Sequence, residues 1–212
     1  MGREVGHRIA IRACTIAQVC SAAAAWLLVS GNAAAAAGDP AAGAAKAAQC
    51  VECHVTTGDT PDPLVPWLDA MPAQYIVTQT LYYKTGKRES TVMKYVADTV
   101  TNIQDLLDIA AFYAARKPVA GGGDKTKQTE LGREIYVSKN CQFCHGMDAM
   151  PGTEFISGAP PIAGQYAAYL EKTMLDFKTG RRPGDAYNLM KKSLLKLSDE
   201  EIAAVAAYIS AL

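Results

Sequence analysis

Two short runs hold four of the six cysteines and two of the three histidines in the sequence. They are Cys50-Val51-Glu52-Cys53-His54 and Cys141-Gln142-Phe143-Cys144-His145. Cys-x-x-Cys-His is the attachment pattern of c-type haem. Two thiols three residues apart can each add to one vinyl group of a single haem, and the adjoining imidazole then falls beneath the iron. The competing readings are weaker. A Cys-x-x-Cys pair closed as a disulfide is strained and redox-active rather than structural. A zinc ribbon needs its two pairs about 15–20 residues apart, whereas these begin at 50 and 141. Neither alternative explains a histidine after each pair. The expected cofactors are therefore two covalently bound haem c groups (iron), attached at Cys50, Cys53, Cys141 and Cys144, with His54 and His145 as proximal ligands.

The N-terminus supports attachment outside the cytoplasm. Arg3, Arg8 and Arg12 precede the apolar run Ala13–Gly31, and Ala33–Ala37 offers a small-residue cleavage site, the pattern of a secretory signal. The reading is a signal peptide over 1–37, cleaved after Ala37, and a periplasmic protein. An uncleaved anchor is the alternative, because the run approaches the length of a membrane span. Removing 1–37 takes three arginines, Glu4, Cys14, Cys20 and His7, leaving a net charge of −2, four cysteines and two histidines. All six lie in the two pentads. Zero net charge over the full 212 residues gives no electrostatic case for nucleic acid, and 50% apolar with 20% charged residues is the composition of a folded globular chain.

With no third histidine after cleavage, methionine is the expected distal ligand, a soft thioether that raises the potential. Met71, Met93, Met147, Met150, Met174 and Met190 are the candidates. Met93 and Met190 occupy equivalent places in a repeat, while Met147 and Met150 follow His145 too closely to pass around a haem edge. Met174 sits at helical spacing with Tyr166, Leu170 and Phe177, which marks it as core. Met71 is a rival to Met93 without a counterpart in the second half.

The repeat also defines the elements that position these groups. Tyr83-Lys84-Thr85-Gly86-Lys87-Arg88 recurs as Phe177-Lys178-Thr179-Gly180-Arg181-Arg182, and Thr91-Val92-Met93-Lys94 as Asn188-Leu189-Met190-Lys191. Helices are expected from Pro40 to about Gln49 with Asp39 as cap, over about 126–139, over 72–84 and 165–178 with glycine after each stop, and over 103–116 and 200–212. Capping boxes are expected at Thr101/Gln104 and Ser198/Glu201. Alternation of strand type is absent, so the fold class is all-α: two tandem haem domains, at 38–117 and 126–212, joined by a flexible linker over 118–125. The basic turns at Lys84/Lys87/Arg88 and Lys178/Arg181/Arg182 are either solvated charge or partners for haem propionates or an acidic protein. Trp67, Tyr82, Tyr83, Tyr166 and Tyr169 are expected to pack around haem.

The chain resembles the cytochrome c4-type dihaem proteins of bacteria. In the second half the likeness runs through Cys141-x-x-Cys-His-Gly146, Pro160-Pro161-Ile162-Ala163-Gly164-Gln165, Asp176–Arg182, Met190 and Lys196–Ile202. In the first half it rests on Pro61-Asp62-Pro63, Pro66-x-Leu68, Lys84–Arg88 and Met93. The first half departs at Val55, where the family usually has glycine, and at Asp69-Ala70-Met71, which stands where the second half has Ala163-Gly164-Gln165. The resemblance implies two class I cytochrome c folds related by a pseudo-twofold, with ligand pairs His54/Met93 and His145/Met190. It further implies a non-enzymatic carrier of single electrons in the respiratory chain, passing them from a membrane quinol-oxidising complex or a dehydrogenase to a terminal oxidase. The alternative is a dedicated electron-accepting subunit of a periplasmic dehydrogenase, as in flavocytochrome c sulfide dehydrogenase. Redox proteins are the expected partners, with peripheral membrane association compatible with either reading. A haem enzyme such as a peroxidase would need an open iron site or an unusual axial ligand, which the mature residues do not offer.

Overall fold

The computed structural model describes residues 38–54, 62–118, 121–151, 159–184 and 187–212. The expected signal peptide 1–37, Val55 and Pro61 lie outside the described residues. Among those described, the ordered elements are ten helices: α1 (Pro40–Lys46), α2 (Ala48–Val51), α3 (Ala73–Lys84), α4 (Thr91–Thr99), α5 (Ile103–Ala114), α6 (Lys127–Ser138), α7 (Gln142–His145), α8 (Ala167–Thr179), α9 (Leu189–Leu194) and α10 (Asp199–Ala211). No strand occurs among them, and no helix among them is long and apolar enough to cross a membrane.

The two halves repeat one packing plan. In the first, α1 crosses α5, and α3 packs on α4 and α5. In the second, α6 crosses α10, and α8 packs on α9 and α10. Each crossing depends on a glycine. A Cβ on Gly43 would lie 2.0 Å from the Asp108 carbonyl oxygen, and one on Gly132 would lie 2.0 Å from that of Ala204. Two apolar clusters follow, one around Trp67, Ile76, Leu106, Ile109 and Tyr113, the other around Tyr136, Leu170, Ile202, Val205 and Ile209. Each fully buried large apolar side chain stabilises its cluster by about 1.5–3 kcal/mol. Between the halves, Gly121 and Gly123 lie on the end of α10: a Cβ on Gly121 would meet the Leu212 backbone carbon at 2.6 Å, and one on Gly123 the Ala211 Cβ at 2.6 Å, while Gly122 faces open space.

Local sequence explains most helix ends. Asp39 accepts the Ala41 N–H at 2.9 Å, and Pro40 opens α1. Ser198 and Glu201 form the expected reciprocal box, with bonds of 2.7 and 3.2 Å. Gly180 closes α8 in the left-handed region at φ 84°. Two expectations need correction. The first helix stops at Lys46 rather than Gln49, because the wholly buried Ala47 separates it from the short turn α2 that carries Cys50. At α5 the Thr101/Gln104 box does not form. Asn102 is the cap, its carboxamide oxygen taking the Gln104 N–H at 2.9 Å, because Asn sits at the capping position itself.

Candidate functional site

The short helices α2 and α7 bring each pentad to the flank of its core. Cys50 and Cys141 are half-buried, and burial pushes both thiols above their ordinary pKa. His54 is 7% exposed and His145 8%. Burial lowers both imidazole pKa values and so favours the neutral ring, the form that ligates a metal. The ring orientation is set by a backbone carbonyl in each half. His54 Nδ1 lies 2.7 Å from the Pro66 carbonyl oxygen, and His145 Nδ1 lies 3.1 Å from that of Pro160. A carbonyl only accepts, so Nδ1 carries the proton in both rings and Nε2 keeps its lone pair.

In the first half, His54, Cys50, Cys53 and Met93 line one cavity of ≈ 710 Å³. Met71, the rival to Met93, is 5% exposed inside the apolar cluster with Trp67 and Ile76, and it is not among the lining residues. Met93 itself is placed by the first turn of α4, where the cap residue Ser90 accepts the Met93 N–H at 3.2 Å. In the second half Met190, on α9, packs at the edge of the apolar cluster, and Met174 lies inside it at 7% exposure. Met147 is 65% exposed on the surface.

Residues of both halves share the cavity wall. Arg88 donates to Gln79 at 2.9 Å and to the Tyr169 hydroxyl at 3.2 Å. Arg182, only 4% exposed, donates to the Tyr75 hydroxyl at 2.6 Å and to Gln79 at 3.1 Å. The pairs Arg88–Tyr169 and Arg182–Tyr75 are one contact repeated about the pseudo-twofold. Each guanidinium also lies over the ring beginning its own repeat, Arg88 on Tyr83 at 4.7 Å and Arg182 on Phe177 at 4.5 Å. Packing around the Tyr169 phenol disfavours its ionisation, yet Arg182 and Arg88 outweigh this and hold it below its ordinary pKa. Burial pushes Tyr83 up to about 12.

The two basic turns therefore divide their work. Lys84 and Lys178 strap α3 and α8 to the carbonyls of Val100 and Leu197 at 2.6 and 2.7 Å. Arg181 bonds Asp176 at the surface, while Arg88 and Arg182 enter the wall. The shared offset of Tyr75 and Tyr169 within the repeat was the signal available for this contact.

The wall suits an anionic, flat, largely apolar group. Apolar side chains such as Leu68, Ile76, Val96 and Ile109 make up much of the lining. Arg182 Nε and the Tyr113 hydroxyl, both from lining residues, are buried without a hydrogen-bond partner, a state that a bound carboxylate or other polar edge relieves. Haem fits on all three grounds: two thiols at the mouth, a bare imidazole nitrogen within, and buried guanidinium for its propionates.

Comparison with known proteins agrees. Residues 129–212 match the model of the cytochrome c family. Cytochrome c4 of Pseudomonas aeruginosa is 37% identical over 184 residues, which cover 84% of this chain and 90% of that protein. Cytochrome c4 of Azotobacter vinelandii is 33% identical over 84% of this chain and 90% of its own length. The crystal structure of reduced recombinant cytochrome c4 from Pseudomonas stutzeri superposes with a TM-score of 0.74 at 30% identity, covering 83% of this chain and 100% of that one. With two pentads, two buried imidazoles and this likeness over both halves, the chain belongs to the cytochrome c4 family of electron-transfer cytochromes, with covalently bound haem c.

Proposed function

We propose that this chain is a periplasmic dihaem carrier of single electrons, not an enzyme, working between a membrane quinol-oxidising complex and a terminal oxidase. Cys50 and Cys53 would hold the first haem and Cys141 and Cys144 the second. His54 with Met93, and His145 with Met190, would be the axial ligands, in cytochrome domains spanning 38–117 and 126–212. Residues 1–37 would be the signal peptide, removed after Ala37. The observation that carries this reading is the cavity in which His54, tied through Nδ1 to Pro66, shares a wall with Met93 and both cysteines.

When bound, haem c supplies a one-electron iron couple. His54 with Met93, and His145 with Met190, would hold the iron and keep substrate and water from it. His54 and His145 arrive with Nε2 deprotonated. Arg88 and Arg182 would balance propionate charge in a place where an unpaired carboxylate would be costly.

Optical and EPR spectra of the purified holoprotein test the assignment. Two low-spin haems per chain are expected. Met93→Ala and Met190→Ala should each open one haem to carbon monoxide, and Met71→Leu should open neither. A haem opened by Met71→Leu would overturn the first ligand pair.

A second reading is supported by similarity to a thiosulfate dehydrogenase electron acceptor from Thiomonas intermedia, 31% identical over 78% of this chain and 79% of that protein. On that reading the chain accepts electrons from a dedicated periplasmic dehydrogenase acting on a sulfur compound, as the dihaem subunit of flavocytochrome c sulfide dehydrogenase does for its flavoprotein. Native purification separates the two: a stoichiometric dehydrogenase chain co-elutes under the second and is missing under the first.

A further inference from the structure

The two proximal histidines have the same kind of second partner, but the peptide units supplying it differ. The Pro66 carbonyl belongs to the Pro66–Trp67 peptide, whose N–H donates to Gln165 Oε1 at 3.3 Å. Gln165 is 1% exposed, and its Nε2 returns a bond to the Trp67 carbonyl at 3.1 Å. The Trp67 indole N–H meets the Gly164 carbonyl at 3.2 Å, completing a clasp between the halves. In the second half the corresponding peptide is Pro160–Pro161, which has no N–H.

The mirror of Gln165 is lost as well. Ala70 and Gly164 correspond, since both have positive φ and their N–H groups bond Tyr113 and Ile209 carbonyls at 2.9 Å. The next residue is Gln165 in one half and Met71 in the other. A thioether cannot donate and accepts only weakly, so the clasp is one-sided.

We propose that Gln165, a residue of the second half, is a positioning residue for the axial histidine of the first. Its oxygen polarises the Pro66–Trp67 peptide, which makes the Pro66 carbonyl a stronger acceptor for the Nδ1–H of His54. A stronger Nδ1–H bond gives the ring more imidazolate character and favours ferric iron, lowering the potential of that haem. The His54 bond is 2.7 Å and the His145 bond 3.1 Å, the order expected if only the first carbonyl is polarised.

This inference rests on His54 and His145 as axial ligands. The test is spectroelectrochemical titration of the holoprotein, with the two transitions assigned by the haem-methyl NMR signals of each half. Gln165→Met should raise the first-half midpoint and leave the second in place, and the His54 Nδ1–H resonance should move upfield. Gln165→Glu keeps the accepting oxygen and should leave that midpoint at or below the wild-type value, which also serves if Gln165→Met fails to take up haem. Asp108→Asn, remote from both loops, controls for loss of stability. An unchanged first midpoint in Gln165→Met with an intact low-spin spectrum overturns this inference alone, as does an equal shift of both haems. A wild-type protein lacking two low-spin haems would instead overturn the ligand assignment beneath it.

Discussion

Gly43 touches the backbone of Asp108 so closely that a Cβ at residue 43 would stand 2.0 Å from the Asp108 carbonyl oxygen and 2.9 Å from the Phe112 Cβ. Gly132 repeats the relation with Ala204, where the second obstacle is the Tyr208 Cβ at 2.8 Å. Alanine gains about 1 kcal/mol over glycine in an open helix, but here it must force two helices apart, at about 3 kcal/mol or more. Gly43→Ala and Gly132→Ala should each lower the thermal midpoint of the holoprotein. An unchanged or higher midpoint would mean the crossings are looser than described.

Asp108 makes one acid-sensitive contribution to stability. This carboxylate is 3% exposed and accepts from Lys46 Nζ, the Asp39 N–H at 2.8 Å and Gln104 Nε2 at 2.9 Å. The Lys46 bond, then those from Asp39 and Gln104, hold its pKa down to about 2. In the unfolded chain an aspartate titrates near about 4. The native state therefore binds its proton later, and this contribution is complete above pH ~4 and disappears as pH falls from ~4 towards ~2. Denaturation midpoints measured from pH 6 to 2 should fall through that window, and Asp108→Asn should be destabilised at pH 6 with a flatter acid limb. Parallel curves for the two proteins would count against the assignment.

Two buried tyrosines should respond differently to loss of the hydroxyl. Tyr136 donates to the Gly146 carbonyl, one residue past His145, at 2.7 Å. Removing it leaves the buried Gly146 carbonyl only the longer bond from the Ala149 N–H at 3.3 Å, so Tyr136→Phe should cost about 1 kcal/mol in chemical denaturation. The Tyr113 hydroxyl finds no partner among the protein's own groups, so Tyr113→Phe leaves no protein acceptor unpaired and should cost less. Equal losses in the two variants would contradict the difference.

Arg182 and Arg88 make corresponding contacts at unequal depth. Lysine keeps the charge but cannot both bond two acceptors in one plane and stack on a ring. Arg182→Lys should therefore cost more stability than Arg88→Lys, by about 1 kcal/mol, since Arg182 itself is the more deeply buried. Urea titration of both variants decides the order.

Much of this molecule was legible in its sequence, for identifiable reasons. The pentads carry their chemistry in adjacent residues, and the Ser198/Glu201 box and the Gly180 stop depend on contacts spanning a few positions. The match of Thr91-Val92-Met93-Lys94 with Asn188-Leu189-Met190-Lys191 aligned Met93 with Met190. What escaped was long-range. Gln165 and Trp67 are 98 residues apart, and nothing local to either marks a buried clasp. The sequence left Arg182 open between solvated charge at a helix end and a partner for a propionate or an acidic protein, because only the tertiary fold brings Tyr75 and Gln79 against it. Asn102 displaced Thr101 as a cap through a one-residue difference that pattern matching does not resolve.

The one-sided clasp also governs which surfaces can associate. If two first halves from separate chains met through this face, each Trp67 peptide would face Met71 and lose both of its bonds. If two second halves met, each Gln165 would face Pro161, which offers no N–H. Either homotypic pairing buries several unmatched polar groups, at about 1–3 kcal/mol apiece. Only unlike halves satisfy each other, so the arrangement that joins them within one chain also discriminates against crosswise dimers formed during folding.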